Sequence, residues 1–204
     1  GYISKNLDVA LVSPEPKHVY SGMVPGVIAG HYPPEAAEID LSTLEPLIAC
    51  PSSPGNVVPV REVAGRDVYQ VVIGSSANPG LRDFAVPALM VRGRQTHERV
   101  SFDVNPTSRQ TLEALTSEGW LLDLVTGGAR LHQAGCNGCI GMGQAPATGK
   151  ASLRTFPRNF PGRSGTKEDE VYLCSPAVAA ASAITRNVPS GALVAYGRTK
   201  DVGS

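Results

Sequence analysis

The chain has 204 residues, enough for one sizeable core or for a domain with an extra arm. Its 18 basic and 18 acidic side chains cancel, so nothing in the charge balance suits nucleic acid or an anionic membrane surface. Its 22 glycines and 17 prolines assign much of the chain to loops and turns.

In chain order, Leu7 to Ser13 reads as a buried strand, followed by a breaker-rich turn over Pro14 to His18. Ser21 to Tyr32 is ambiguous between loop and short helix. Glu35 to Glu38 starts a short helix, Ile39 to Leu47 is a mixed connector, and Cys50 to Pro59 is a proline-punctuated loop. From Val68 the pattern changes. Val68 to Ile73 is a β-branched strand ending in small residues, and Leu81 to Arg92 has helical apolar spacing. Val100 to Val104 is a second strand. Ser108 reads as the N-cap of a helix over Arg109 to Glu118, with Gly119 as its stop. Leu121 to Val125 is a further helical turn. Ala129 to Gln133, Ser152 to Phe156 and Val171 to Leu173 are short strands. Ser175-Pro176 opens a helix over Ala177 to Thr185. Alternating strands and helices predict an α/β fold, a three-layer αβα arrangement on a mostly parallel sheet with helices on both faces. Three segments are expected: an N-terminal arm over 1–37, a domain over 38–190 and a loosely held tail over 191–204.

Four cysteines (Cys50, Cys136, Cys139 and Cys174) are too few for a disulfide scaffold. Cys136 and Cys139 form a C-x-x-C pair among Gly135, Gly138, Gly141 and Gly143. Soft sulfur ligands suit an iron–sulfur cluster or zinc. A zinc site wants four ligands and no second C-x-x-C follows; a redox pair wants a helix start after a strand. Two incidental buried cysteines are the remaining alternative. Arg158 and Arg163 follow, either binding carboxylates through paired hydrogen bonds or standing solvated on the surface. The small residues Gly74 to Asn78 end a strand, where open α/β sheets bind ligands, although such residues often serve the backbone alone. The apolar runs are too short to span a bilayer, and no signal-peptide order follows Gly1. A cytoplasmic protein without membrane or nucleic-acid partners is therefore expected.

Over residues 38–187 the chain resembles the aconitase superfamily, which includes aconitate hydratase, homoaconitase and the large subunit of isopropylmalate dehydratase. The strings that carry the likeness are IDLSTLEP (39–46), PSSPGNVVPVREV (51–63), VVIGSSANPGLRDF (71–84), NPTSRQTLEAL (105–115), AGCNGCIGMG (134–143), PRNFPGRSG (157–165) and LCSPAVAAASA (173–183). The resemblance implies the third catalytic domain of such an enzyme. It implies a [4Fe–4S] cluster held by three cysteines, whose open iron acts as a Lewis acid on a hydroxy di- or tricarboxylate such as citrate or isocitrate. Cys136 and Cys139 match two ligands, Arg158 and Arg163 match substrate-binding arginines, and Asn78 lies in the substrate-binding G-S-C-T-N element. The third cysteine position falls on Ser76, a harder and poorer iron ligand than a thiolate. Cys50 is the alternative third ligand, and Cys174 reads as a buried structural cysteine. Pro157 replaces the asparagine before R-N-F.

The resemblance also implies that catalytic and swivel domains outside this chain, as separate chains or otherwise, supply the acid–base groups. No catalytic residue is assigned here, and the chain alone is expected to be inactive. The rival reading is a non-catalytic iron–sulfur or metal-binding module. Residues 8–37 are similar to a segment of FAD-dependent NADH dehydrogenase-like flavoproteins, but no G-x-G-x-x-G is present. This suggests a flavoprotein fragment without flavin binding, joined near Glu38 to Leu41.

Overall fold

The computed structural model describes residues 17–19, 24–31, 33–40, 45–75 and 80–190. The strand expected over Leu7 to Ser13, the tail over 191–204, and the site residues Ser76 and Asn78 lie outside the described residues.

The chain divides into two units, 1–45 and 46–204. In the first, β1 (Lys17–Val19) pairs antiparallel with β2 (Glu38–Asp40), with His18 opposite Ile39. Lys17 and His18 are therefore strand, where a turn was expected. Between the strands lie α1 (Val24–Ile28) and a 3-10 turn over Pro34–Ala37. Pro34 suits the first helical position, and the turn ends where Glu38 becomes extended to pair with β1.

The second unit holds a seven-stranded sheet. Its strands are β3 (Leu47–Ala49), β4 (Val57–Pro59), β5 (Gln70–Gly74), β6 (Ser101–Asn105), β7 (Arg130–Leu131), β8 (Ala151–Arg154) and β9 (Glu170–Leu173), in the spatial order β4-β3-β9-β8-β5-β6-β7. The pairs β8–β9, β5–β8, β5–β6 and β6–β7 are parallel, and β3 runs antiparallel to both β9 and β4. The α/β class and the mostly parallel sheet are as expected. The loop expected over Cys50 to Pro59 is instead a hairpin turn and its second strand. Pro59 is tolerated because β4 is an edge strand.

From β5 the chain adds β6 and β7 on one side, then returns past β5 to add β8 and β9 on the other. Right-handed crossovers put connections that build in opposite directions on opposite faces of a sheet. The helices α2 (Leu81–Val91), α3 (Arg109–Ser117), α4 (Trp120–Thr126) and α5 (Pro176–Thr185) pack on one another and on one face. Val71, Ile73, Phe102, Val104, Leu153 and Tyr172 point into the core beneath them. On the other face, Val72 packs against Cys139 and Phe156. The layer there consists of loops and one 3-10 turn, Gly138–Ile140, instead of α-helix.

Local signals fix the helix ends. The Ser108 hydroxyl accepts from the Thr111 N–H at 3.1 Å, and Gly119 adopts φ 75° after α3. The Ser175 hydroxyl accepts from the Val178 N–H at 3.3 Å, with Pro176 in the first turn. Buried alanines of α5 (Ala179, Ala180 and Ala183) let it approach α2 closely.

Candidate functional site

Because β5 and β8 are neighbours whose following connections leave in opposite directions, their C-terminal ends form the topological switch point, where α/β sheets bind ligands. The ends of β5, β6 and β8 are tied together there. Gly74, at φ 120°, runs so close to β6 that a Cβ would sit 2.0 Å from the Asn105 carbonyl oxygen. The Gly74 N–H donates to the Thr155 hydroxyl at 2.9 Å, and the Ser75 N–H donates to the Asn105 carbonyl at 2.9 Å. The Thr107 hydroxyl donates to the Ser75 carbonyl at 2.8 Å. The backbone of Gly74 and Ser75 is therefore fixed from three sides.

Over the loop face lies the C-x-x-C loop. The Cys136 and Cys139 sulfurs are 2.7 Å apart, beyond the disulfide length of about 2.05 Å, and both are free thiols. Cys136 is exposed and Cys139 buried. Asn105 and Arg154 hold the peptide units between them. The Asn105 Oδ1 accepts from the Gly138 N–H at 3.2 Å, while its Nδ2 donates to the Gln133 carbonyl at 2.8 Å. The Arg154 Nη1 donates to the Gly138 carbonyl at 2.7 Å.

The arginine loop abuts the thiol loop. Gly141, at φ 77°, passes so close to Ser164 that a Cβ would lie 1.9 Å from the Ser164 carbonyl oxygen. The Ser164 hydroxyl donates to the Cys139 carbonyl at 3.2 Å. Asn159 is buried and fastens the loop to the sheet, its Nδ2 donating to the carbonyls of Cys50 at 2.8 Å and Val171 at 3.0 Å. Burial and the neighbouring Cys136 push the Cys139 thiol upward, and the Arg163 guanidinium beside it partly offsets them. The Arg163 Nε is itself buried without a hydrogen-bond partner. Arg158, on the same loop, is exposed.

Cys136, Cys139 and Arg163 thus lie together. Cys50 does not join them: it packs against the helix-face core, and the charges acting on it are Arg66 and Glu62. This removes the alternative third ligand. Cys174 also packs against the helix-face core, where burial pushes its thiol up to about 12. Among the described residues, no group of three or more His, Cys, Asp or Glu side chains is placed to hold a metal. The two thiols fit as two soft ligands of one group.

Sequence reading missed the polar floor of the loop face. Gln70, Asp103, Asn105, Gln144, Ser152 and Arg154 are all buried. Asp103 accepts from Arg130 Nε at 2.8 Å, Gln144 Nε2 at 3.0 Å and Ser101 Oγ at 2.7 Å. Its Oδ1 also lies 3.1 Å from His132 Nε2. Burial lowers Arg154 to about 10 despite the carboxylates of Asp169 and Asp103 nearby, so it stays cationic at neutral pH. Burial raises the pKa of Asp169, with Arg154 opposing. The available signal was the alternation of polar and apolar residues in β6 and β8, which ordinarily marks a solvated face.

The α/β domain thus brings paired thiols and an arginine together near its switch point. The Aconitase family (aconitate hydratase) matches residues 61–186. The chain is 45% identical over 148 residues to 3-isopropylmalate dehydratase large subunit 1 of Methanopyrus kandleri, covering 72% of this chain and 35% of that protein. It is 43% identical over 149 residues to the 3-isopropylmalate dehydratase large subunit of Sulfurihydrogenibium sp., covering 72% and 34%. It is 42% identical over 149 residues to the homoaconitase large subunit of Thermus thermophilus, covering 72% and 35%. This chain belongs to the aconitase family. It spans about a third of the length of these relatives. The flavoprotein resemblance of residues 8–37 lies outside the family match and is unsupported. No helix among the described residues is long and apolar enough to cross a membrane.

Proposed function

We propose that this chain is the cluster- and carboxylate-binding portion of a hydro-lyase of the isopropylmalate dehydratase and homoaconitase kind. The observation that carries the reading is the convergence of Cys136, Cys139 and Arg163 at the switch point of a family-matched domain. The names of the relatives favour 3-isopropylmalate or a homoaconitate-type acid over citrate or isocitrate.

In this reading Cys136 and Cys139 hold a [4Fe–4S] cluster, with Ser76 at the third position. The cluster, when bound, supplies Lewis acidity toward a hydroxyl and a carboxylate of the substrate. Arg163, and Arg158 on the same loop, bind substrate carboxylates through paired N–H donors; Asn78 adds a polar contact. Asn105 and Ser164 hold the thiol loop against the sheet and the arginine loop, so sulfur and guanidinium keep one geometry. Acid–base groups come from complementary domains, consistent with relatives that are named large subunits and of whose length the match covers about a third.

The test is anaerobic reconstitution with iron and sulfide, read by iron content and visible absorption. Wild type should form a cluster, Cys136→Ala should not, and Ser76→Cys should retain it longer under a chelator. A wild type without cluster, or a Cys136→Ala variant that equals it, overturns the reading. Dehydration of 3-isopropylmalate should appear only when complementary domains are added. A cluster without activity in that mixture favours the non-catalytic module.

A further inference from the structure

Arg154 stands out among the buried groups for which the proposed chemistry has no use. It is 0% exposed, and each of its three guanidinium nitrogens donates to a named acceptor. Nε donates to Ser152 Oγ at 3.0 Å, Nη1 to the Gly138 carbonyl at 2.7 Å, and Nη2 to Gln70 Oε1 at 2.8 Å and to the Gln144 carbonyl. Ser152 and Gln70 belong to the sheet floor, and the Ser152 hydroxyl also donates to Gln70 Oε1 at 2.7 Å. Gly138 and Gln144 bracket the loop that carries Cys139. One side of the guanidinium therefore grips the floor and the other grips both ends of the thiol loop. The Phe156 ring stacks 5.5 Å from it, closing the remaining face.

From this geometry we propose that Arg154 is a positioning residue for the thiol pair: it pins the Gly138–Gln144 loop to β5 and β8. Asn105 takes the Gly138 N–H and Arg154 the Gly138 carbonyl, so the Gly138 backbone between the two cysteines is held at both of its peptide groups. Its rotation would swing Cys139 away from Cys136. The arrangement needs an arginine. A lysine retains the charge but cannot span four acceptors with a planar fork. The proposal deepens the reading of Cys136 and Cys139 as cluster ligands and rests on it only where a cluster is measured.

The experiment compares wild type, Arg154→Met and Arg154→Lys, using the whole chain without metal. Hydrogen exchange is followed segment by segment, and alkylation of Cys136 and Cys139 by iodoacetamide is timed. Loss of charged hydrogen bonds to the loop should speed exchange and Cys139 alkylation by about tenfold to a hundredfold. Arg154→Lys should fall between wild type and Arg154→Met, and α2 and α5 should keep their protection. Unchanged loop exchange and alkylation would overturn the proposal. So would equal loss of protection across the loop and the helices, which would make Arg154 a general fold-stabilising group. If Arg154→Met fails to fold, Arg154→Lys decides alone by the same two readouts. After reconstitution, the visible absorption of the variants should bleach faster under a chelator. Wild type failing to form a cluster would sink the cluster reading while leaving the loop measurements interpretable.

Discussion

Val71 and Ile73 face four helices, whereas Gln70 and Val72, alternating with them on the same strand, face loops. The contrast repeats across the sheet: Phe102 and Val104 against Asp103 and Asn105, and Leu153 against Ser152 and Arg154. Both faces are buried, but they are held differently. The helix face is held by apolar area, which is non-directional and forgiving of small shifts. The loop face is held by hydrogen bonds from buried polar groups, which fix direction and are costly when a partner is lost. Stability is concentrated on the first face, and the geometry of the proposed site on the second.

Three measurements would break or sharpen this contrast. The largest effect is expected on the helix face. Phe84 of α2 is fully buried, and Phe84→Ala should cost about 3–5 kcal/mol of unfolding free energy in a denaturant titration. The native fraction should still place Cys136 and Cys139 as before, read by their alkylation rates under native conditions. Altered thiol reactivity in the folded fraction would mean that the faces are not independent.

The next effect is on the loop face. Asn105→Ala strands the Gly138 N–H and the Gln133 carbonyl, and should cost about 1–3 kcal/mol. Its mark should be local, with faster hydrogen exchange in the thiol loop than in α2 or α5. Uniform loss would show that the polar floor supports the whole fold.

The smallest effect is one of pH. Burial raises the Cys174 thiol from 9.0 to about 12. The unfolded chain releases this proton from pH 9 upward, while the native chain keeps it until about pH 12. The native state therefore binds more protons in that window, and stability present below pH 9 falls as the pH rises through it. At pH 10 the loss is about 1.4 kcal/mol, and Cys174→Ala should abolish it in titrations at about pH 8 and 10. Arg154 acts with the opposite sign above pH 10: its lowered value lets the native state release a proton that the unfolded chain retains. The comparison therefore belongs at or below that pH. An alkaline loss undiminished in Cys174→Ala would show that the thiol is not enclosed by the helix-face core.

Much of the helix face was legible in the sequence. Apolar spacing in Leu81 to Arg92, the Ser108 and Ser175 caps and the Gly119 stop are local signals, and local hydrogen bonds realise them. Of the proposed site, the C-x-x-C motif singled out Cys136 and Cys139, and the family resemblance singled out Arg163. The loop face was not legible, because Gln70, Asp103 and Arg154 become buried only when loops from distant positions cover them. The placement of Cys50 likewise required the sheet, since its side chain packs against the helix-face core and forms no three-ligand group with the other thiols among the described residues. The β3–β4 hairpin was missed because prolines at 51, 54 and 59 outweighed a short extended stretch at the sheet edge, where a missing N–H is tolerated.

The alternation along β8 also governs which insertions and deletions the gene can accept. Removing one residue from Ala151–Arg154 would exchange the two faces, turning Leu153 toward the loops and the Arg154 guanidinium into the helix-packed interior. Length changes are therefore confined to stretches where backbone parity carries no meaning, such as the exposed turns around Thr148–Lys150 and Thr166–Glu168.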